Sequence, residues 1–178
     1  MLIDQTIADY LFGARDLAFI KFFSIATLFG SSEVIVLFLT LAGIVFWKRR
    51  EFMSIVGLYI AVIGSEALTY LAKHRFARPR PVLAYYLENS YSFPSGHATA
   101  AVAFYGFLAY YFYCRQKTRG RKIIVLISAT VMILAIGFSR LYLGVHYLSD
   151  VLAGYAVGFL FLVTSIGITK WLKPGNHQ

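Results

Sequence analysis

Long apolar stretches alternate with short polar segments along the chain. Only one of the five longest stretches contains a charged residue, Glu66. Crossing a bilayer takes roughly 20 predominantly apolar residues, and flanking residues can extend slightly shorter windows. The pattern therefore predicts an all-α protein, a polytopic membrane helix bundle of about five spans. The predicted spans are residues 34–47, 52–72, 98–114, 123–139 and 151–169.

The first 33 residues are less regular. Residues 2–20 resemble an amphipathic helix that lies along the membrane interface. Residues 22–32, within the wider segment 17–32, form either a re-entrant segment or a short sixth span. We therefore predict five spans preceded by an N-terminal interfacial or re-entrant helix, with six spans as the alternative. Because the spans take up most of the chain, we predict a single membrane-embedded domain over residues 1–178.

Composition supports a membrane protein and charge gives its orientation. The chain is 59% hydrophobic and only 14% charged, outside the usual range of soluble domains. Its net charge of +9 could suggest a nucleic-acid ligand, but the basic residues are concentrated in short segments that are typical of cytoplasmic loops. We therefore predict no nucleic-acid partner. The segments are Lys48 to Arg50, residues 115–122, and Lys170 with Lys173.

This orientation places residues 73–97 and 139–150 on the outer face together with the N-terminal segment. Residues 73–81, KHRFARPRP, contain four basic residues and no acidic residue, on the face where basic residues are disfavoured. A cluster of cations on the face that disfavours them indicates that it binds an anionic ligand. An anchor to lipid headgroups is the alternative. Arg75 and Arg78 either extend the anion pocket or contact lipid headgroups, and we favour the headgroup contacts. His74 is interpreted as interfacial.

Two further polar motifs fall on the same face. In SFPSGHATA, residues 92–100, a proline followed by small residues favours a helix start whose free N–H groups could bind an anion. His97 lies in the first turn of that helix. In SRLYLGVHYLSD, residues 139–150, His146 and Asp150 are four residues apart and are predicted on one helix face. An aspartate bound to one ring nitrogen leaves the other free as nucleophile or base.

A histidine–aspartate pair is also compatible with a metal site. Zinc sites usually gather three neutral or anionic ligands and lack a ring of cations. Guanidinium groups match phosphate oxygens in bidentate geometry. We therefore predict a phosphate site and no metal. The cations on this face are Lys73, Arg75, Arg78, Arg80 and Arg140.

Together the three motifs resemble the signature of the type 2 phosphatidic acid phosphatase superfamily, which also includes vanadium haloperoxidases. All three parts are complete and in order. The matching positions are Lys73 with Arg80-Pro81, then Pro94-Ser95-Gly96-His97, then Ser139-Arg140, His146 and Asp150.

The resemblance implies a chemistry for these residues. His146 would be the nucleophile that forms a phosphohistidine, Asp150 would orient it, and His97 would be the general acid that later activates water. No cofactor is implied, and fixed cations in place of magnesium make metal-independent hydrolysis the expectation. The phosphate-binding positions would be Lys73, Arg80, Ser95, Gly96 and Arg140.

A phosphate site at the outer membrane surface predicts a lipid phosphate as the substrate, and a bacterial inner (cytoplasmic) membrane with the site facing the periplasm or outside. Candidates are undecaprenyl diphosphate, phosphatidylglycerophosphate, phosphatidic acid and the lipid A 1-phosphate, which the motifs do not separate. A lipid-to-lipid phosphotransferase and a non-catalytic lipid-phosphate binding or translocating protein are alternatives. A haloperoxidase is disfavoured by the five spans. The oligomeric state is not indicated.

Other polar and small residues have simpler interpretations. Glu66 lies near the helical face of Lys73 and is either functional or a partner for another helix. Gly154 and Gly158 are predicted to permit close helix packing. The loop tyrosines Tyr85, Tyr86 and Tyr91 are predicted to form an interfacial aromatic belt or to line the path of the substrate.

Overall fold

The computed structural model describes residues 2–172 and is helical throughout, with no strand in that range. This confirms the all-α prediction. The helices within that range are α1 (Leu2–Gly13), α2 (Leu17–Leu28), α3 (Ser32–Lys48), α4 (Phe52–Phe76), α5 (Gly96–Arg115), α6 (Arg119–Tyr142) and α7 (Leu148–Trp171).

Three helices, α4, α6 and α7, are long and apolar enough to cross a membrane. Helices α2 and α3 meet that criterion only as a pair, which bends by 43° at the break between them and would make a fourth span. The predicted membrane helix bundle is thus present, whereas the count of five spans is not established by length and composition. The predicted cytoplasmic residue Lys173 lies outside the described residues.

Helix α5 was predicted as a span but does not meet the length and composition criterion, and its position at the centre of the bundle explains why. It packs against α4, α6 and α7, and half of its length is buried. Ala98, Ala101 and Ala103 are fully buried. A helix that is surrounded by other helices requires small side chains for close packing more than long apolar ones for lipid contact. Its sequence is therefore less apolar than that of a lipid-facing span.

Gly154 and Gly158 of α7 allow its close approach to α5, as predicted. A Cβ atom on Gly154 would lie 2.5 Å from the carbonyl oxygen of Ser95, and one on Gly158 would lie 2.6 Å from that of Thr99. Both distances are shorter than real Cβ contacts. Because a backbone oxygen is the obstacle in each case, no side-chain rotation could make room.

The single amphipathic helix predicted over residues 2–20 is wrong, because the chain forms two helices there. Helix α2 starts afresh after Asp16, whose carboxylate accepts a hydrogen bond from the N–H of Ala18 at 2.7 Å. The preceding Arg15 turns toward another part of the molecule and donates to the carbonyl oxygens of Tyr142 at 3.0 Å and Leu83 at 2.8 Å. A helix cap and these distant contacts end the first helix.

Residues 22–32 do not form one segment either. Helix α2 ends at Leu28, a turn follows, and Ser31 caps α3 by accepting from the N–H of Val34. Helix α2 packs against α6. The bend between α2 and α3 fits either a broken span, in which the two helices make one crossing, or a re-entrant loop. The re-entrant segment and the separate sixth span therefore both stay predictions.

The segments predicted to share one face do lie together at one end of the bundle. The N–H of Tyr85 donates to the carbonyl of Leu143 at 2.9 Å. The N–H of Ser95 donates to the carbonyl of Asp150 at 3.0 Å. Backbone hydrogen bonds therefore fix the loop between α4 and α5 against the turn between α6 and α7.

The packing of α7 on α5 gives a testable prediction. Replacing Gly158 with alanine should lower the thermal unfolding midpoint of the detergent-solubilised protein, because overpacking costs about 1–3 kcal/mol. Gly167→Ala is the matched control on the same helix, because a Cβ there meets nothing within 4 Å. Equal midpoints for the two variants would contradict the close packing.

Candidate active site

His146 lies at the centre of the polar end of the bundle. It precedes α7 in the turn after α6 and is 2% exposed, so the prediction that it shares a helix face with Asp150 is wrong in detail. Its Nε2 atom lies 3.1 Å from Nη1 of Arg80, which also donates to the carbonyl of Val145 at 2.7 Å. The backbone turn and Arg80 together fix the position of the ring.

The other ring nitrogen faces Asp150, a fully buried carboxylate in the first turn of α7. The Nδ1 atom lies 3.6 Å from Oδ2 of Asp150 and 3.3 Å from Oγ of Ser92. The hydroxyl of Ser92 donates to the same Oδ2 atom at 2.5 Å. Ser92 thus bridges the histidine and the aspartate, a role that the sequence did not suggest.

These contacts settle the tautomer of His146. An arginine can only donate, so Nε2 has to accept and therefore carries a lone pair. The proton is then on Nδ1, facing Asp150 and Ser92. Burial lowers the pKa of His146 to about 4, because the favourable bond to Asp150 does not offset burial and the nearby charges of Arg140, Arg80 and Lys73. The ring is neutral at neutral pH, with its unprotonated nitrogen toward Arg80.

Arg140 is the most completely buried cation of the site, with no exposed surface. Its Nη1 atom donates to the hydroxyl oxygens of Thr27 and Tyr86, each at 2.6 Å. Its Nη2 atom pairs with the carboxylate of Glu88. Helix α2 and the loop between α4 and α5 therefore both position Arg140. The belt interpretation of Tyr86 is wrong, because its hydroxyl is a ligand of this arginine.

Glu88 joins Arg80 and Arg140, the two arginines of the motifs. Its Oε2 atom lies 2.5 Å from Nη2 of Arg80, and its Oε1 atom pairs with Arg140. Burial alone would raise the pKa of Glu88, but Arg140 and Arg80 hold it at about 2. The carboxylate is therefore ionised and lies between the groups predicted to bind phosphate. The sequence analysis did not identify it.

The remaining predicted phosphate ligands surround this position. The ammonium of Lys73, at the end of α4, donates to the carbonyl of Tyr91 at 2.5 Å. Ser95 is the N-cap residue of α5, and Gly96 is the first residue of that helix. Among the described residues, Oγ of Ser95 and Nε of Arg140 are buried without a hydrogen-bond partner. Unpaired buried donors are rare, and here they fit an anionic ligand.

A cavity of about 500 Å³ extends from this polar cluster along α3 and α4. His97 and His146 both line its polar end, together with Lys73 and Arg80. Its opposite walls are apolar side chains of α3 and α4. Glu66 also lines the cavity, and its Oε1 atom has no hydrogen-bond partner within the described residues. The apolar lining includes Ile35, Val36, Leu39, Val62 and Ile63.

Arg78 connects Asp150 to the N-terminal helix instead of contacting lipid headgroups as predicted. Its Nη1 atom donates to Oδ1 of Asp150 at 2.7 Å and to Oγ of Ser149 at 2.6 Å. Its Nη2 atom pairs with Asp4 of α1 at 2.8 Å. Arg75 is exposed, and its headgroup contact stays a prediction.

The structure thus gathers all the predicted site residues at one end of the bundle. The residues that sequence reasoning missed are those that hold the others in place. Only Glu88 could have been identified from the sequence, because it is an acidic residue in the otherwise basic segment between α4 and α5. The missed residues are Asp4, Thr27, Arg78, Tyr86, Glu88 and Ser92.

Comparison with known proteins gives one family. Residues 53–174 match the family model described as the PAP2 superfamily. The chain is 31% identical over 147 residues to "Phosphatidylglycerophosphatase B" of Bacillus subtilis, covering 80% of this chain and 71% of that protein. It is 33% identical over 129 residues to "Lipid A 1-phosphatase" of Rhizobium johnstonii, covering 65% of this chain and 49%, or about half, of that protein.

Two solved structures are similar to this chain. A crystal structure of a transmembrane PAP2 type phosphatidylglycerolphosphate phosphatase from Bacillus subtilis superposes with a TM-score of 0.89 and 27% identity, covering 97% of this chain and 87% of the other. The crystal structure of Aquifex aeolicus LpxE gives a TM-score of 0.72 at 24% identity, covering 92% and 94%. The second likeness shows a shared fold.

The neutral state of His146 can be measured directly. In protein labelled with ¹⁵N-histidine, the His146 signal, assigned by its loss in His146→Gln, should stay that of a neutral Nδ1–H ring from pH 8 to pH 5.5. Protonation should begin only toward pH 4. Because the folded-state pKa lies below about 6.5, the usual value, stability should fall as the pH falls from 6.5 toward 4. A His146 midpoint near 6.5 would contradict the buried environment.

Proposed function

Because the chain belongs to the PAP2 superfamily, as its motifs indicated, we propose that it is an integral membrane lipid phosphatase. It would hydrolyse the phosphate monoester or diphosphate of a lipid headgroup through a phosphohistidine intermediate. One observation carries the proposal. A neutral histidine with its free nitrogen directed at a cluster of cations lines a cavity whose other walls are apolar.

The first chemical step would be attack by Nε2 of His146 on phosphorus. Arg80 donates to this nitrogen in the free protein and would transfer that hydrogen bond to a phosphate oxygen, which frees the lone pair. The bond between phosphorus and the lipid oxygen breaks, and His97 would protonate that oxygen as it leaves. Asp150 would stabilise the positive charge that forms on the imidazole ring.

The second step would hydrolyse the phosphohistidine. His97, now neutral, would take a proton from water as the water oxygen attacks phosphorus. The phosphorus–nitrogen bond breaks, its electron pair returns to Nε2, and inorganic phosphate is released. Both steps use the same two histidines, which share the cavity.

The transition state of phosphoryl transfer spreads charge over the equatorial phosphate oxygens, so positioned cations contribute most of the catalysis. Lys73, Arg80 and Arg140 would neutralise these oxygens. The first N–H groups of α5 have no partner within the helix, and Ser95 and Gly96 lie at that end to bind the same phosphate. This donor set supports metal-independent hydrolysis.

The apolar cavity walls support a lipid substrate. A phosphate bound at His146 would have its lipid portion beside Ile35, Val36 and Ile63, which extend from the polar end of the cavity. The relatives act on phosphatidylglycerophosphate and lipid A 1-phosphate by name, and both belong to the predicted candidates with undecaprenyl diphosphate and phosphatidic acid. A phosphotransferase would use the same residues with another lipid as the acceptor.

The membrane placement is also part of the proposal. The protein would lie in a bacterial inner membrane with α3 to α7 as five spans and the active site at the periplasmic or outer face. The basic segments at the opposite ends of the helices support this orientation through the positive-inside rule.

Phosphate release tests the activity. Purified protein in detergent with EDTA should release phosphate from at least one of the four candidate lipids, and His146→Ala should lower the rate by about a thousandfold or more. The matched control is His74→Ala, because His74 is exposed, its Nδ1 atom lies 2.8 Å from the carbonyl oxygen of Tyr70, and it does not line the cavity. It should keep the wild-type rate.

Three other outcomes would each change the conclusion. Activity that disappears in EDTA and returns with a divalent ion would overturn metal independence. Loss of lipid phosphate without release of inorganic phosphate, when a second lipid is supplied, would favour the phosphotransferase. A folded protein that binds lipid phosphate without converting it would favour the non-catalytic alternative.

Cysteine labelling tests the orientation. In a Cys114→Ser background, Asn89→Cys should react with a membrane-impermeant maleimide in right-side-out vesicles, because Asn89 lies in the exposed loop beside the site. Lys117→Cys, in the exposed loop between α5 and α6, should react only after permeabilisation. The opposite pattern would place the active site in the cytoplasm.

A further inference from the structure

The carboxylate of Glu88 occupies the position between Arg80 and Arg140, where the proposed function places the substrate phosphate. We propose that Glu88 is a built-in competing anion that fills the phosphate position in the free enzyme and selects which lipids bind. A lipid phosphate would have to displace it. This inference rests on the proposed function, because that function assigns the two arginines to phosphate.

The geometry sets Glu88 and a phosphate in competition for the Nη2 atoms of Arg80 and Arg140, while Nε of Arg140 has no partner among the described residues. Oε1 of Glu88 pairs with Nη2 of Arg140, and Oε2 lies 2.5 Å from Nη2 of Arg80. A phosphate would present two oxygens to the same pair of guanidinium groups. The remaining Nη1 atoms of both arginines already bind protein groups, the carbonyl of Val145 in one case and Thr27 with Tyr86 in the other.

Glu88 competes as a charged group. Burial opposes its ionisation, yet the pKa is about 2, since Arg140 and Arg80 outweigh the burial. It therefore presents one full negative charge over the whole pH range in which the enzyme would work. A glutamine at this position would offer the arginines one neutral acceptor in place of an anion.

Glu88 can leave the site without disturbing the helices. It lies in the segment between α4 and α5, which has no helix of its own. Its neighbour Leu87 is 94% exposed, and Asn89 is also exposed. The Glu88 side chain is 22% exposed, so a rotation within the loop would bring the carboxylate into water.

A competing carboxylate discriminates between classes of lipid. A phosphate monoester or terminal diphosphate carries close to two charges and three terminal oxygens, so it can outcompete a single carboxylate for Arg80, Arg140 and Lys73. A phosphodiester headgroup carries one charge and two free oxygens, which gives it no advantage over Glu88. Phosphodiester lipids surround the site in the bilayer, so excluding them keeps it available to monoesters.

The opposing interpretation is that Glu88 merely stabilises the arginines. Arg140 has no exposed surface, and a buried cation without a counter-ion is strongly destabilising. In that case removing the carboxylate would disorder the arginines and weaken phosphate binding. A competing anion predicts the opposite sign, tighter binding on its removal, so the two interpretations can be separated by experiment.

The test compares wild-type protein with Glu88→Gln in detergent. We would measure kcat and KM for dioctanoyl phosphatidic acid, inhibition by inorganic phosphate, and inhibition by dioctanoyl phosphatidylglycerol, a phosphodiester. If the carboxylate leaves the site open for about a tenth of the time, its removal should lower KM and the inhibition constant for phosphate about tenfold. Inhibition by the phosphodiester should tighten by at least as much.

Two variants provide controls. Glu51→Gln removes a carboxylate that pairs with Arg115 where α4 begins and α5 ends, away from the site, and should leave these constants unchanged. Glu88→Asp keeps the charge on a shorter side chain that cannot span both arginines, so it should lower KM by less than Glu88→Gln. It also provides a result if the glutamine variant does not fold.

A raised or unchanged KM in folded Glu88→Gln, with unchanged inhibition by phosphatidylglycerol, would overturn the inference. Failure of the proposed function would appear differently, as absence of phosphate release by the wild-type protein. In that event, calorimetric binding of inorganic phosphate to wild type and Glu88→Gln still tests Glu88. Tighter binding by the variant would support the competing anion, and weaker or equal binding would refute it.

Discussion

The mutual repulsion of three cations held at one end of a membrane helix bundle is the constraint on which the site depends. Arg140 is entirely buried, and Arg80 lies across Glu88 from it. Two guanidinium groups that share one carboxylate repel each other, so an anion between them, from the protein or from a substrate, stabilises the pair. The carboxylate of Glu88 supplies that charge, while Thr27 and Tyr86 satisfy the hydrogen bonds that remain on Arg140. A helix, a loop and an ion pair thus maintain one anion-binding position.

The histidine side of the site depends on a second ion-pair network. Asp150 has no exposed surface, and Arg78 compensates its charge on the side away from His146. Arg78 in turn pairs with Asp4, which also accepts from the N–H of Ser149 at 3.0 Å. The pKa of Asp4 is lowered because its hydrogen bonds to Arg78 and Ser149 outweigh its burial. The amphipathic N-terminal helix is thereby connected to the residue that orients the proposed nucleophile.

Local patterns in the sequence were sufficient for the helices and the three motifs, and insufficient for the contacts between them. Long apolar stretches located α3, α4, α5, α6 and α7, while the motif residues are recognisable by their spacing. Glu88 was missed because its partner Arg140 is distant in the sequence and the loop path that joins them has no periodicity. The break between α1 and α2 was missed for a similar reason, since Arg15 bonds to Tyr142 and Leu83. Polar contacts between residues distant in the sequence therefore determine features that the apolar pattern does not predict, such as the break between α1 and α2 and the position of Glu88.

Helix packing and the proposed chemistry are coupled through the contact between α5 and α7. Gly154 approaches the carbonyl of Ser95 so closely that a Cβ atom would lie 2.5 Å from it, and the N–H of Ser95 donates to the carbonyl of Asp150. The turn before α5, which is proposed to bind phosphate, is therefore held directly by the helix that carries Asp150. A displacement of α7 would move Asp150 and Ser95 together, which preserves their relative geometry. Gly154, through its contact with Ser95, thus helps to fix the distance between the two halves of the site.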